Sequence, residues 1–184
     1  MMTLVLKGIS IVLAISVGPG LTLFGFSEGW AQEKHRISYK WPAENTKYTQ
    51  QSVIDVEDLP GHQIRIYEIH RTWPNNPPAF NGVRVKEEWI RAHSDYIDIN
   101  GRSAGYYYYV LKNGDKIFGR FDGTSQTIVN PDRSKKSTFT AVITLTEGTG
   151  KFRGIRGTAR YIAIFDPKAG VNEGQVEGEY WIAK

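Results

Sequence analysis

Two stretches carry side chains that could do acid–base chemistry. In His62–Trp73 (HQIRIYEIHRTW) the alternate residues Ile64, Ile66, Glu68 and His70 share one face of an extended chain, and in Val83–Arg91 (VRVKEEWIR) so do Val83, Val85, Glu87, Trp89 and Arg91. Each face begins apolar and turns charged. If both point inward, carboxylates, an imidazole and a guanidinium meet at the mouth of an apolar pocket. A buried carboxylate beside His or Arg can titrate near neutrality and act as acid or base, so Glu68, His70, Glu87 and Arg91 are the catalytic candidates. An unpaired buried charge costs several kcal/mol. Arg91 is therefore expected to satisfy one glutamate and His70 the other, and loss of Arg91 to be strongly destabilising. Ile64, Ile66 and Trp89, with Tyr106 and Tyr108 of the Tyr106–Tyr109 run, form the expected ligand-binding surface. The opposite phase of the first stretch, Tyr67, Ile69 and Arg71, is nearly as apolar, and the charged ends of both faces can equally reach solvent.

Other chemistry is thin. The chain has no cysteine, which excludes disulfides, thiolate metal sites and a cysteine nucleophile. His62 and His70 are too far apart for a local metal pair, and Glu-x-His on a strand is a poor metal signal, so no metal is expected. The net charge of +4 is dispersed, with Lys135-Lys136 the only adjacent basic pair, which argues against nucleic acid as a partner.

The N-terminus reads as an export signal. Lys7 precedes an apolar run from Ile9, broken by Gly18-Pro19-Gly20 and ending in Gly29-Trp30-Ala31, small residues placed as a signal peptidase requires. Cleavage after Ala31 would leave residues 32–184 as one periplasmic or secreted domain, with no membrane partner once the segment is gone. An uncleaved anchor is the alternative.

The remainder is rich in Ile, Val, Thr, Tyr and Phe, punctuated by Gly, Pro, Asn and Asp, and no amphipathic helix stands out. Strands are expected at 52–56, 62–73, 83–91, 96–99, 104–111, 116–122, 138–146, 158–165 and 176–182. Asn113-Gly114 suggests a type I′ hairpin turn. In Thr138–Thr146 (TFTAVITLT), Phe139, Ala141, Ile143 and Leu145 share a face opposite threonines. Many short strands with polar turns indicate a sandwich or barrel, and closure removes unpaired edges.

The stretch GTGKFRGIRGTARY, Gly148–Tyr161, could hold phosphate or turn a corner. A dinucleotide loop needs a third glycine where Arg153 stands, and a helix where a strand follows. The glycines are therefore expected to permit positive φ at a sharp turn. Gly148, Thr149, Gly150, Phe152, Arg156 and Gly157 resemble a motif of the dirigent and allene oxide cyclase superfamily, with Gly148, Gly150, Phe152 and Gly157 as its structural turn. Glu147 replaces its usual first glycine, and Ile155 a frequent alanine. The whole chain also resembles exported bacterial proteins of this barrel type with no agreed activity. The resemblance implies an eight-stranded antiparallel β-barrel of calycin-type shape, often trimeric, that holds an apolar small molecule without any cofactor. Three functions remain open: a small-molecule binding barrel, a cofactor-free cyclase or isomerase, and a filled structural or interaction module.

Overall fold

The computed structural model describes residues 32–183 apart from 42, 167, 168 and 170; the expected signal segment, residues 1–31, lies outside them. Gln32–Lys184 forms one compact unit with its own hydrophobic core. It contains β1 (His35–Trp41), β2 (Thr46–Asp55), β3 (His62–Thr72), β4 (Ala79–Phe80) and β5 (Val83–Ile97). β6 (Asn100–Leu111), β7 (Lys116–Val129), β8 (Lys135–Gly148), β9 (Ile155–Asp166) and β10 (Val171–Ile182) follow. All ten strands belong to one antiparallel system, ordered β1-β10-β9-β8-β7-β6-β5-β3-β2, with β4 beside β5.

The strands exist because apolar residues alternate with polar ones. In β8, Ser137, Phe139, Ala141, Ile143 and Leu145 are buried while Thr138, Thr140, Val142 and Thr144 face water. β1 follows the same rule with Ile37, Tyr39 and Trp41. Rolled up, the sheet places these faces in a single core.

The ladder does not close, since no backbone pairing joins the edge strands β1 and β2 among the described residues. β1 covers β10, with Trp41 opposite Gly174, and β2 covers β3, with Thr46 opposite Arg71. Side chains bridge the seam instead. The Arg71 guanidinium lies 3.9 Å over the Trp41 ring, and Arg71 Nε donates to Thr46 Oγ1 at 3.1 Å.

One end of the roll is filled. Phe80, held by the short β4, sits among Tyr109, Phe152 and Tyr180 at ring distances of 5.3, 6.4 and 5.2 Å. The Tyr39 and Tyr109 hydroxyls share a 2.5 Å hydrogen bond above them.

At the opposite end three hairpin tips touch. Asp98 N donates to Gly61 O at 3.1 Å, and Thr127 N to Asn100 Oδ1 at 2.7 Å. His62 ties the β2–β3 turn to β5, with Nδ1 2.5 Å from Asp58 Oδ1 and Nε2 2.8 Å from Asp95 Oδ1. Two carboxylates can both accept only from a ring protonated on both nitrogens. Asp95 and then Asp58 raise the pKa of His62 above its ordinary value, and the bond from His62 lowers that of Asp58. The His62 contribution to stability is thus complete below about pH 6.5 and is lost as pH rises through the raised folded value. The Asp58 contribution is present above about pH 3.9 and is lost as pH falls through the lowered value. In melting curves, the stability advantage of wild type over His62→Gln should be largest between those limits and shrink in alkali; an advantage independent of pH would contradict the clip.

Two turns differ from expectation. Asn113-Gly114 does join β6 to β7, but only Gly114 has positive φ, at 89°, and Gly114 N bonds Leu111 O. That is a type I turn followed by a glycine in the left-handed region, not type I′. Two-residue turns with positive φ at both positions occur instead at Asn81-Gly82, between β4 and β5 with φ of 43° and 77°, and at Asp98-Ile99, with φ of 51° and 67°. Asp98-Ile99 takes up the second half of the expected 96–99 strand, whose first half, Tyr96 and Ile97, ends β5.

Candidate functional site

The structure brings the predicted acid–base residues together in the expected pairs. His70 Nε2 lies 2.9 Å from Glu87 Oε2, and Arg91 Nε donates to Glu68 Oε2 at 2.8 Å. Thr49 Oγ1 also donates to Glu68 Oε1 at 2.7 Å; this bond first, and Arg91 after it, lowers the carboxyl pKa. The His70 ring stacks on Trp89 at 4.1 Å, and the Arg91 guanidinium lies 5.6 Å over Tyr108.

The cluster nevertheless faces outward. Ile64 and Ile66 are 38% and 64% exposed, Tyr106 is 39% exposed, and the Arg91 side chain is 54% exposed. Tyr106 borders a shallow outer groove with Arg120, Asp122 and Val142, while Tyr108 packs beside Phe118. The expectation that Arg91 holds a buried charge is corrected accordingly, because its guanidinium reaches water and solvent screens its pair with Glu68.

The phase error has a physical cause in β5. Val85 pairs with Leu111 but Glu87 pairs with Val110, so a bulge at Lys86 inserts one extra residue. Val85 is buried before the bulge, and Glu88, Ile90, Ala92 and Ser94 are buried after it. Glu87, Trp89 and Arg91 are thereby turned outward. In β3 the inward set is Tyr67, Ile69 and Arg71, and in β6 it is Tyr107 and Tyr109 in place of Tyr106 and Tyr108.

Those inward faces enclose a cavity of about 380 Å³. Its wall is apolar and aromatic, with Ile69, Ile90, Tyr107, Phe121, Phe139 and Ile143 prominent, while Tyr48 and Gln51 of β2 complete one side. Tyr107 lies across Gly119, where any Cβ would strike its phenol ring, so the glycine makes room for the aromatic wall. Ser94, Ser125 and Ser137 line the end nearer the hairpin tips, with Arg65, Ile99 and Lys135. The Tyr107 hydroxyl and Ser94 Oγ are buried with no hydrogen-bond partner among the described residues, as are the Trp41 and Trp73 indole nitrogens. Each such group costs about 1–3 kcal/mol unless a partner arrives.

Glu88 reaches the cavity from its floor. It is 2% exposed and paired with Arg71 Nη1, itself 1% exposed. Burial raises the Glu88 pKa, and the Arg71 charge opposes that rise. Burial alone would lower the pKa of Arg71, yet Glu88 and the nearby tyrosines hold it above its ordinary value. The floor is therefore an ion pair in dry surroundings. Sequence reasoning missed it, since Glu88 sits in a run of charges and Arg71 belongs to the face given less weight.

The glycine-rich turn is structural. Gly150 has φ 53°, and a Cβ there would collide with the Asp115 carboxylate. Gly148 and Gly157 do not have positive φ; they allow close approach, to the Phe152 carbonyl and to Glu179 O with Tyr180. Phe152 is 1% exposed and anchors the turn in the filled end. Glu147 Oε1 accepts from Gly148 N at 2.9 Å and Gly154 N at 2.7 Å, and Asp115 accepts from Lys151 N at 3.2 Å. The amides that might have held phosphate are occupied by the chain's own carboxylates.

Compared with protein-family models and with curated proteins, the chain matches none.

Proposed function

We propose that residues 32–184 form a periplasmic or secreted barrel that binds an apolar small molecule in its cavity and uses no cofactor. The observation that carries this reading is a cavity of about 380 Å³ left open in a roll whose other end is closely filled. That size suits a small ligand, and the lining is mainly apolar with a few placed polar groups. In this reading β1 and β2 are halves of one stave with the single turn Ala43–Asn45 between them, which with β3 and β5–β10 makes eight. The resemblance of Gly148–Tyr161 to the dirigent and allene oxide cyclase motif supports the same architecture. Exposed Ile66, Tyr106 and Val142 on the outer faces support a homo-oligomer, a trimer by that resemblance.

A second reading, a cofactor-free cyclase or isomerase, is favoured by the Glu88–Arg71 floor. There Glu88 would be the acid–base group, rather than the outer set Glu68, His70, Glu87 and Arg91.

Titration of residues 32–184 with the apolar dye Nile red tests the binding reading. Saturable fluorescence enhancement at one dye per chain is expected. Enhancement that never saturates, or none, would leave the filled-module reading.

A further inference from the structure

We infer that the open end of the fold docks on an anionic lipid surface through the β7–β8 hairpin tip. The tip exposes Ile128 and Val129 at 67% and 60%. Cross-strand pairing sets Val129 opposite Lys135 and Ile128 opposite Lys136, so each face of the finger carries one aliphatic and one lysine. Arg133 at the turn adds a third cation, against Asp132, which accepts from Ser134. Aliphatics at a tip with lysines on flexible stems beside them match the apolar boundary and the phosphates of a bilayer.

The neighbouring tip continues the surface. Ile97 and Ile99 are 40% and 38% exposed, and Lys135 Nζ sits 3.3 Å from Asp98 Oδ1, joining the two hairpins. Ile99 holds φ 67°, a left-handed conformation that costs a β-branched residue on the order of 1–3 kcal/mol. Asn or Gly would fill that position without strain. The isoleucine places an aliphatic group where the cavity meets the exposed tips, since Ile99 and Lys135 both line the cavity. The β2–β3 turn carries Glu57 and Asp58, so the contact leans on the β5–β8 side. Attachment by hairpin tips differs from the spanning segment weighed in the sequence, and sets aside the expectation of no membrane partner.

Flotation of residues 32–184, the compact unit with its own core, on phosphatidylcholine vesicles with and without phosphatidylglycerol tests the proposal. Binding to the anionic vesicles is expected. Lys135→Gln/Lys136→Gln should weaken it about fivefold or more, the Lys136 charge counting in full and the Lys135 charge less because Asp98 already pairs with it. Ile128→Ser/Val129→Ser should also release the protein, with an unchanged melting temperature because both side chains are exposed. No binding by wild type, or binding untouched by either variant, would overturn the proposal. Loss in the lysine variant alone would mean attachment by charge without insertion, and would overturn it too. So would self-association that only the Ile128/Val129 variant abolishes, which would make the tip a protein interface. No cavity ligand enters the assay, so its failure leaves the cavity reading standing.

Discussion

Arg71→Met is expected to lower the unfolding free energy of residues 32–184 by about 3–5 kcal/mol, because it strands Glu88 at 2% exposure without its partner. The loss belongs to the unpaired charge and not to the pair. Arg71→Met/Glu88→Leu should therefore recover most or all of the wild-type stability, since a well-packed apolar pair replaces a desolvated ionic one. The single variant should also show a distinctive pH dependence. Its buried carboxyl stays protonated in the folded chain to higher pH than in the unfolded chain, so the folded state binds more protons and stability rises as pH falls. Arg91→Ala, which removes a solvent-screened pair with Glu68, should cost far less than Arg71→Met. Urea denaturation with linear extrapolation measures all of these. Equal effects at Arg71 and Arg91 would show that the floor pair is not buried in solution.

The second large effect concerns the cavity. Ile143→Trp points a larger side chain from β8 into the open space, where it meets void instead of packed atoms. Overpacking usually costs about 1–3 kcal/mol. Here the open cavity should hold the loss to the lower end, while Nile red affinity falls on the order of a hundredfold as the ligand volume is taken up. The two readouts together matter, since loss of binding in an unfolded variant would say nothing of the cavity. A folded Ile143→Trp protein that binds dye as wild type does would place the binding site elsewhere.

The comparison of Arg71 with Arg91 also marks where the sequence was legible. β8 could be read directly, because Phe139, Ala141, Ile143 and Leu145 alternate with threonines over an unbroken ladder. β1 carries the same signal in Ile37, Tyr39 and Trp41 but is short and was not among the expected strands. The site was harder. One extra residue at Lys86 reverses the facing of everything after it, and nothing in VRVKEEWIR marks the bulge. Alternation alone therefore puts Glu87, Trp89 and Arg91 on the wrong side of the wall, while on β3 Glu68 and His70 face outward because the Tyr67, Ile69 and Arg71 phase is the inward one. Asp98-Ile99 was missed for a different reason, since isoleucine is about the last residue that turn chemistry predicts at positive φ. Where a local rule fails in this way, a tertiary demand has overridden it, and here the site is the cavity mouth.

The central claim is that the cavity is a binding site and not a packing defect. Native mass spectrometry of the protein purified from the cells that make it, wild type beside Ile143→Trp, tests it most directly. The account predicts a mass above that of the wild-type polypeptide, contributed by a retained apolar molecule that dissociates on activation, and a bare polypeptide for the variant. Bare wild-type protein, or the same adduct on both, would contradict it.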